Sequence, residues 1–219
     1  MSCFPLCLRK QSKLGAYVKT AGESNNNNIV REGDFTNKRR GHGKAGDDPR
    51  IPLNARQKYS LVKNWKGIAR ETQKTGANMF VRMLENHDDL YDLFKFRHMR
   101  GKRSHEVCDD EQLLAHGETV MRVFNEAINA MENAEEFFAI LEKYGKFHAA
   151  KIGFQPEYFW LMEEPFLFAV RVTLGDRYTH NMEGIYDSVI RLILSTMEEV
   201  CEKEQRRLAR DDRGSWEDG

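Results

Sequence analysis

Residues 111–153, EQLLAHGETVMRVFNEAINAMENAEEFFAILEKYGKFHAAKIG, decide how the rest of the chain is read. Apolar residues recur there at steps of three and four, the spacing of one helix face. His116 falls in line with Leu113, Val120, Phe124 and Ala127, and His148 with Phe137, Leu141, Tyr144 and Ile152. Each predicted helix thus carries one imidazole on its apolar side. Two such helices, face to face, would aim both rings into one apolar slot. A flat iron macrocycle needs that combination: apolar walls, and neutral imidazole nitrogen on the metal axis.

Outward from this pair the helical pattern continues in both directions. Asn54 offers an N-cap to a first helix with Tyr59, Leu61, Val62, Trp65, Ile68 and Ala69 inward. A second helix, about Gly76 to Glu85, turns Met79, Phe80, Met83 and Leu84 inward, and a short helical turn holds Leu90, Leu93 and Phe94. Residues 95–109 lack periodicity and read as a loop, with Asp109 or Asp110 capping the His116 helix. Asn133 or Ala134 separates the two histidine helices, and Gly153 stands where a C-cap glycine would close the second. Pro156 opens a further helix lined by Phe159, Met162, Phe166, Leu167 and Val170. Pro165 should kink or divide that helix, and Gly175 ends it. A last helix covers about Met182 to Leu208 and runs out in charges. No useful strand alternation or internal repeat appears. The expectation is an all-α domain over residues 52–206 with a flexible tail at 207–219.

The 219-residue chain is 40% apolar and has no net charge, but its charge is uneven. Residues 1–50 carry ten basic and five acidic residues, leaving 24 basic and 29 acidic in the remainder. The body has no basic stripe interleaved with aromatics, so nucleic acid is not expected as a partner. Residues 1–51, with Asn25–Asn28 and scattered glycines, predict a disordered basic extension. At its start Cys3 and Cys7 sit among Phe4, Leu6 and Leu8, followed by Arg9, Lys10 and Lys13. Acylated cysteines beside basic residues combine two membrane signals, so both are lipidation candidates; two incidental thiols are the plainer alternative. Ser2 argues against myristoylation. No segment is long and apolar enough to span a bilayer. The four cysteines form no zinc-type pairs or disulfide framework, which favours a reducing cytoplasmic location, with the N-terminus at the inner face of the plasma membrane.

Taken together the body resembles a globin, similar to neuroglobin-like invertebrate globins, across about residues 53–205. Trp65 sits on the first helix, and TGANMFVRML resembles the second-helix pattern, with Phe80 on the distal wall. Phe94, fourteen residues later, fits the phenylalanine that stacks on haem; LLAHGETVM puts His116 at the distal histidine with Val120 one turn on; YGKFH puts His148 at the proximal ligand. Phe159 falls where the following helix meets the haem. A lone histidine on an apolar face is usually a satisfied core residue; the joint register is what carries the resemblance. It implies a three-over-three helical sandwich holding haem b, with His148 as proximal ligand and dioxygen or another diatomic gas as partner.

Departures from the family pattern leave the ligands in place. Asp88 replaces a common proline, which implies a looser corner. Tyr144 replaces a usual leucine, and its hydroxyl bonds toward a propionate or the His148 backbone, or the residue reads simply as bulky core with its hydroxyl at the rim. Lys95, Arg97 and Arg100 are propionate-pairing candidates or a basic surface loop. Cys108 reads as an inert loop thiol and Cys201 as core. His42, His87, His98 and His105 read as solvated. His116 either donates a hydrogen bond to bound dioxygen or ligates iron itself, and the spacing of 32 residues to His148 favours the second. The resemblance implies oxygen binding or transport, sensing or electron transfer. Nitric oxide dioxygenase or nitrite reductase activity would need an external reductant of unknown identity, because the chain has no dinucleotide fingerprint or flavin domain. It is therefore not read as an enzyme. A haemless interaction module is the remaining alternative.

Overall fold

The computed structural model describes the backbone of residues 48–217 and the side chains of residues 48–211. The expected disorder of the basic extension, and Cys3 and Cys7, lie outside the described residues, apart from 48–51. There Ile51, counted with the extension, is already buried in the core beside Leu53.

Seven helices follow: α1 (Ala55–Trp65), α2 (Thr72–Asn86), α3 (Ser104–Cys108), α4 (Glu111–Asn129), α5 (Ala134–Ala149), α6 (Glu163–Leu174) and α7 (His180–Glu217). Short 3-10 turns occupy Asp88–Leu93, Arg97–Met99, Pro156–Met162 and Gly175–Arg177. The described residues contain no strand. α2 packs on α4 and α6, α5 on α7, and α1 on α4 and α7. This is the all-α sandwich expected.

Local chemistry explains several boundaries. Asn54 and Gln57 form a reciprocal cap at α1: each side chain accepts the other's backbone N–H at 3.0 Å. The buried stripe of this segment keeps Leu61, Trp65 and Ile68 as expected, but its first turn buries Lys58 in place of Tyr59. Tyr59 is 65% exposed, with the Lys63 ammonium 5.9 Å from its ring, and Ala69 faces solvent. A lysine's aliphatic stem can lie along apolar surface, so the stripe runs through Lys58 at only 1% exposure.

Pro165 divides rather than kinks. It is the third residue of α6, where no N–H is needed for the helix ladder, and the chain before it is the 3-10 turn opened by Pro156. α5 stops at Ala149, four residues before Gly153. Lys151 N–H then bonds the His148 carbonyl at 2.9 Å, and Gly153 takes a φ of +81°. Ile152 is consequently 100% exposed instead of lining the His148 face.

The expected loop 95–109 contains α3, five residues with Val107 buried, too short to show periodicity. α7 continues past residue 208 to Glu217. Its last described turns carry ion pairs at i, i+4 spacing, Arg206–Glu202 at 3.1 Å and Arg207–Asp211 at 2.7 Å.

Two crossings have no room for side chains. A Cβ on Gly76 would stand 2.4 Å from the backbone of Gly117, so α2 and α4 touch main chain to main chain. A Cβ on Gly145 would meet Val200 at 2.7 Å where α5 lies on α7. On α4, Leu113, Met121, Phe124 and Ile128 are buried, each worth about 1.5–3 kcal/mol relative to exposure. Trp65 stacks on Phe166, with centroids 6.3 Å apart, and its indole N–H donates to Asn125 Oδ1 at 3.1 Å, fixing α1 against α4.

Candidate haem site

α4 is phased by its cap. Asp110 Oδ1 accepts from the N–H groups of Gln112 (3.0 Å) and Leu113 (2.9 Å). His116 follows in the second turn, immediately before the Gly117 crossing. Since α2 touches α4 there, Phe80, one turn beyond Gly76, meets His116 with ring centroids 4.7 Å apart. Phe94 lies 5.2 Å and Phe96 5.9 Å from the same imidazole. Val120, one turn after His116, is half-buried against the core.

α5 is capped by Asn133, whose side chain accepts from Glu136 N–H. Phe137, Leu141, Gly145 and Ala149 are its buried line. His148 is half-buried beside it, with Phe154 at 4.8 Å and Phe159 at 5.0 Å. Its Nδ1 lies 2.7 Å from the Tyr144 carbonyl oxygen. The wall behind it is tied to α7: Trp160 Nε1 donates to Glu198 at 2.7 Å and Gln205 Nε2 to the Phe154 carbonyl at 3.0 Å.

Both rings are held neutral. Burial, and then repulsion from His148, pulls the His116 imidazole down to about 4. Burial lowers His148 too, partly opposed by its bond to the Tyr144 carbonyl, with Lys151 adding to the lowering. A carbonyl only accepts, so Nδ1 of His148 carries the proton and Nε2 keeps its lone pair. His116 makes no hydrogen bond among the described residues; its neighbours are aromatic rings. Neutral imidazoles with an uncommitted nitrogen, set among phenylalanines, are the donors and walls that a haem requires. These residues fit the group.

The expected residues fall into two sets. Phe80, Phe94, His116 and Val120 converge on α4 and its approach; Tyr144, His148 and Phe159 lie around the end of α5. At Tyr144 it is the backbone carbonyl that orients His148, while the ring lies 5.0 Å from the Lys143 ammonium.

Sequence reasoning missed Phe96 and Phe154. Phe96 sat in a stretch with no period, and Phe154 takes the place assigned to Ile152. Arg100 is committed elsewhere, to the Asp88 carbonyl at 2.6 Å and the Asp92 carboxylate at 3.2 Å. Those bonds also close the corner expected to be loose. Lys95 and Arg97 are exposed. His98 is exposed, as expected, and also pairs with Asp110 at 3.0 Å. Cys108 is half-buried, and Cys201 is buried, its thiol pushed up to about 11 by burial.

No described helix is long and apolar enough to cross a membrane. Comparison with known proteins points one way. The family model for Globin matches residues 77–197. A neuroglobin of Tetraodon nigroviridis is 21% identical over 145 residues, 66% of this chain and 90% of that protein. A globin of Nerita albicilla is 22% identical over 158 residues, 71% of this chain and 95% of that protein. Among solved structures, a hexacoordinated heme protein from an anhydrobiotic tardigrade superposes with a TM-score of 0.66 at 33% identity, covering 71% of this chain and 99% of that one. A family match that includes both histidines, and a solved relative alike along nearly its whole length, leave one assignment: this chain belongs to the globin family.

Proposed function

We propose that this chain is a haem b globin that binds dioxygen or another diatomic gas, with His148 as proximal ligand and His116 as a sixth ligand competing with the gas. The observation that carries the reading is the His148 Nδ1 bond to the Tyr144 carbonyl, which fixes the tautomer with Nε2 available to a metal. When bound, the haem supplies an iron centre that takes up diatomic gases and exchanges electrons. His116 is suited to ligation because burial keeps it unprotonated and no protein partner holds its ring nitrogens. Phe80 and Phe94 on the distal side, and Phe159 on the proximal side, set apolar surface against the imidazoles. The hexacoordinated tardigrade relative supports the six-coordinate state.

Absorption spectra of the haem-loaded protein test this, oxidised and reduced, with and without carbon monoxide. Sharp low-spin bands in the reduced, ligand-free protein are expected. Broad five-coordinate bands would remove His116 as a ligand, and failure to take up haemin would leave the fold an interaction module. A carrier, sensing or electron-transfer role follows from this chemistry rather than catalysis within the chain itself.

The N-terminus belongs to the same proposal as a membrane-proximal anchor through acylated Cys3 and Cys7. Fractionation of the parent against a Cys3→Ala/Cys7→Ala protein tests it, and unchanged partitioning would eliminate the anchor.

A further inference from the structure

The segment between Leu93 and α3 has almost no regular structure, yet it holds one of the most deeply buried rings in the fold: Phe96 is 1% exposed. Its ring stacks on Phe94 at 4.8 Å with planes 8° apart. It meets Phe80 edge-on at 6.4 Å, Tyr91 at 6.5 Å and the His116 imidazole at 5.9 Å.

The backbone around it is strapped at both ends. Met99 N–H bonds the Phe96 carbonyl at 2.9 Å. Arg100 bonds the Asp88 carbonyl through Nη2 at 2.6 Å and Nε at 3.0 Å. His98 Nε2 lies 3.0 Å from Oδ2 of Asp110, the residue whose other oxygen caps α4. The strap therefore joins the aromatic corner to the start of the helix that carries His116.

We propose that Phe96 is a positioning residue for the distal imidazole: wedged behind Phe94, it holds His116 in place against Phe80. The proposal rests on the reading of His116 as the distal group of a haem site. Phe94 is only half-buried, and one of its faces lies against Phe96. A half-exposed ring keeps its orientation only if something rigid backs it, since close-packed neighbours are what select one rotamer. Offset and edge-on ring pairs add directional preference to that packing. Of the three rings around His116, two therefore depend on Phe96: its own and that of Phe94. A leucine at 96 keeps the site apolar but has no flat face, so Phe94 can turn and His116 gains room to move.

The test uses the full-length chain and two readouts. In haem-free protein at fixed pH, the His116 ring-proton signals are identified by their loss in His116→Gln and followed by nuclear magnetic resonance. In haem-loaded, reduced protein, carbon monoxide association is measured. Phe124→Leu is the control: Phe124 lies on α4, packs on Phe166 at 4.7 Å and is not among the rings around His116. Phe96→Leu is expected to displace the His116 signals well beyond the control. It is also expected to change association about threefold or more, as the fraction of protein with its sixth site available changes. Phe96→Tyr keeps the flat ring and should return both readouts toward the parent.

Signals and association that coincide with those of Phe124→Leu would overturn the proposal. If Phe96→Leu does not fold, Phe96→Met gives the same comparison, since methionine fills irregular gaps flexibly. Should the parent refuse haemin, the haem reading fails on its own. The haem-free signals then decide this proposal: displacement supports it and coincidence sinks it.

Discussion

Gly117→Ala tests the crossing that sets Phe80 against His116. A methyl group there would stand 2.7 Å from the Gly76 carbonyl carbon and 2.9 Å from Ala77 N, where ordinary contact begins at 3.4 Å. The two helices must part by about 0.7 Å, the gap between 2.7 and 3.4 Å, because the obstruction is backbone rather than the end of a flexible side chain. Overpacking of this kind costs about 1–3 kcal/mol. With backbone on both sides the cost belongs at the upper end, and alanine's higher helix propensity returns about 1 kcal/mol. The net loss is about 2 kcal/mol, which lowers Tm by roughly 4–8 °C for a domain of this size.

Thermal unfolding of the haem-free protein, followed by circular dichroism, reads this directly. Gly184→Ala on α7 is the counterpart: nothing lies within 4 Å of its new methyl group, so propensity acts alone and stability should rise by up to about 1 kcal/mol. A Gly117→Ala protein that melts at or above the parent would refute the account of the α2–α4 contact. It would also refute its corollary, that parting these helices loosens the 4.7 Å contact between Phe80 and His116.

His148→Ala should weaken haemin retention by more than the roughly 10–100-fold typical of losing an outer-shell partner. Retention and axial spectrum equal to the parent's would sink the proximal assignment. Asp110→Ala removes the α4 cap and the partner of His98, and should lower stability by about 0.5–2 kcal/mol in urea titration. In haem-free protein the depressed His116 also makes stability depend on pH. Its folded value of about 4 lies below the ordinary 6.5, so the unfolded chain binds more protons between them. Stability should therefore fall as pH drops from about 6.5 to 4 and level off below, by roughly 2–3 kcal/mol for a group so largely buried. His116→Leu should flatten that window in urea midpoints measured at pH 7 and pH 4.5, and an unchanged slope would show that His116 does not carry it.

The parts of this fold that were legible in the sequence are those fixed by local rules. Asn54, Asp110 and Asn133 announce helix starts because their side chains bond the first N–H groups whatever the tertiary context. His116 and His148 could be placed on apolar faces because helical periodicity is a one-dimensional signal. What stayed hidden depends on partners distant in sequence. Lys58 and Tyr59 are adjacent, and only the positions of α4 and α7 decide which is covered. Phe96 lies in an aperiodic stretch, buried by rings from α2, α4 and the Asp88–Leu93 turn. Ile152 reads as a continuation of its helix, but the turn at Lys151–Gly153 swings it outward and lets Phe154 in. Pro165 announced a break without saying that the segment before it would wind as 3-10.

α7 is the longest of the described helices. Its 38 residues measure about 57 Å end to end. Cys201 is its last buried residue among those described. Four residues farther on, Gln205 still grips the carbonyl of Phe154, whose ring leans on His148. Beyond that grip Leu208 is still half-buried, and the other described side chains from residue 206 on are exposed. Trimming the chain just after residue 211 should shorten a spar without disturbing the pocket, whereas trimming just before residue 205 unhooks the panel behind His148. A few residues' difference in where the terminus is cut thus separates a cosmetic change from one felt at His148.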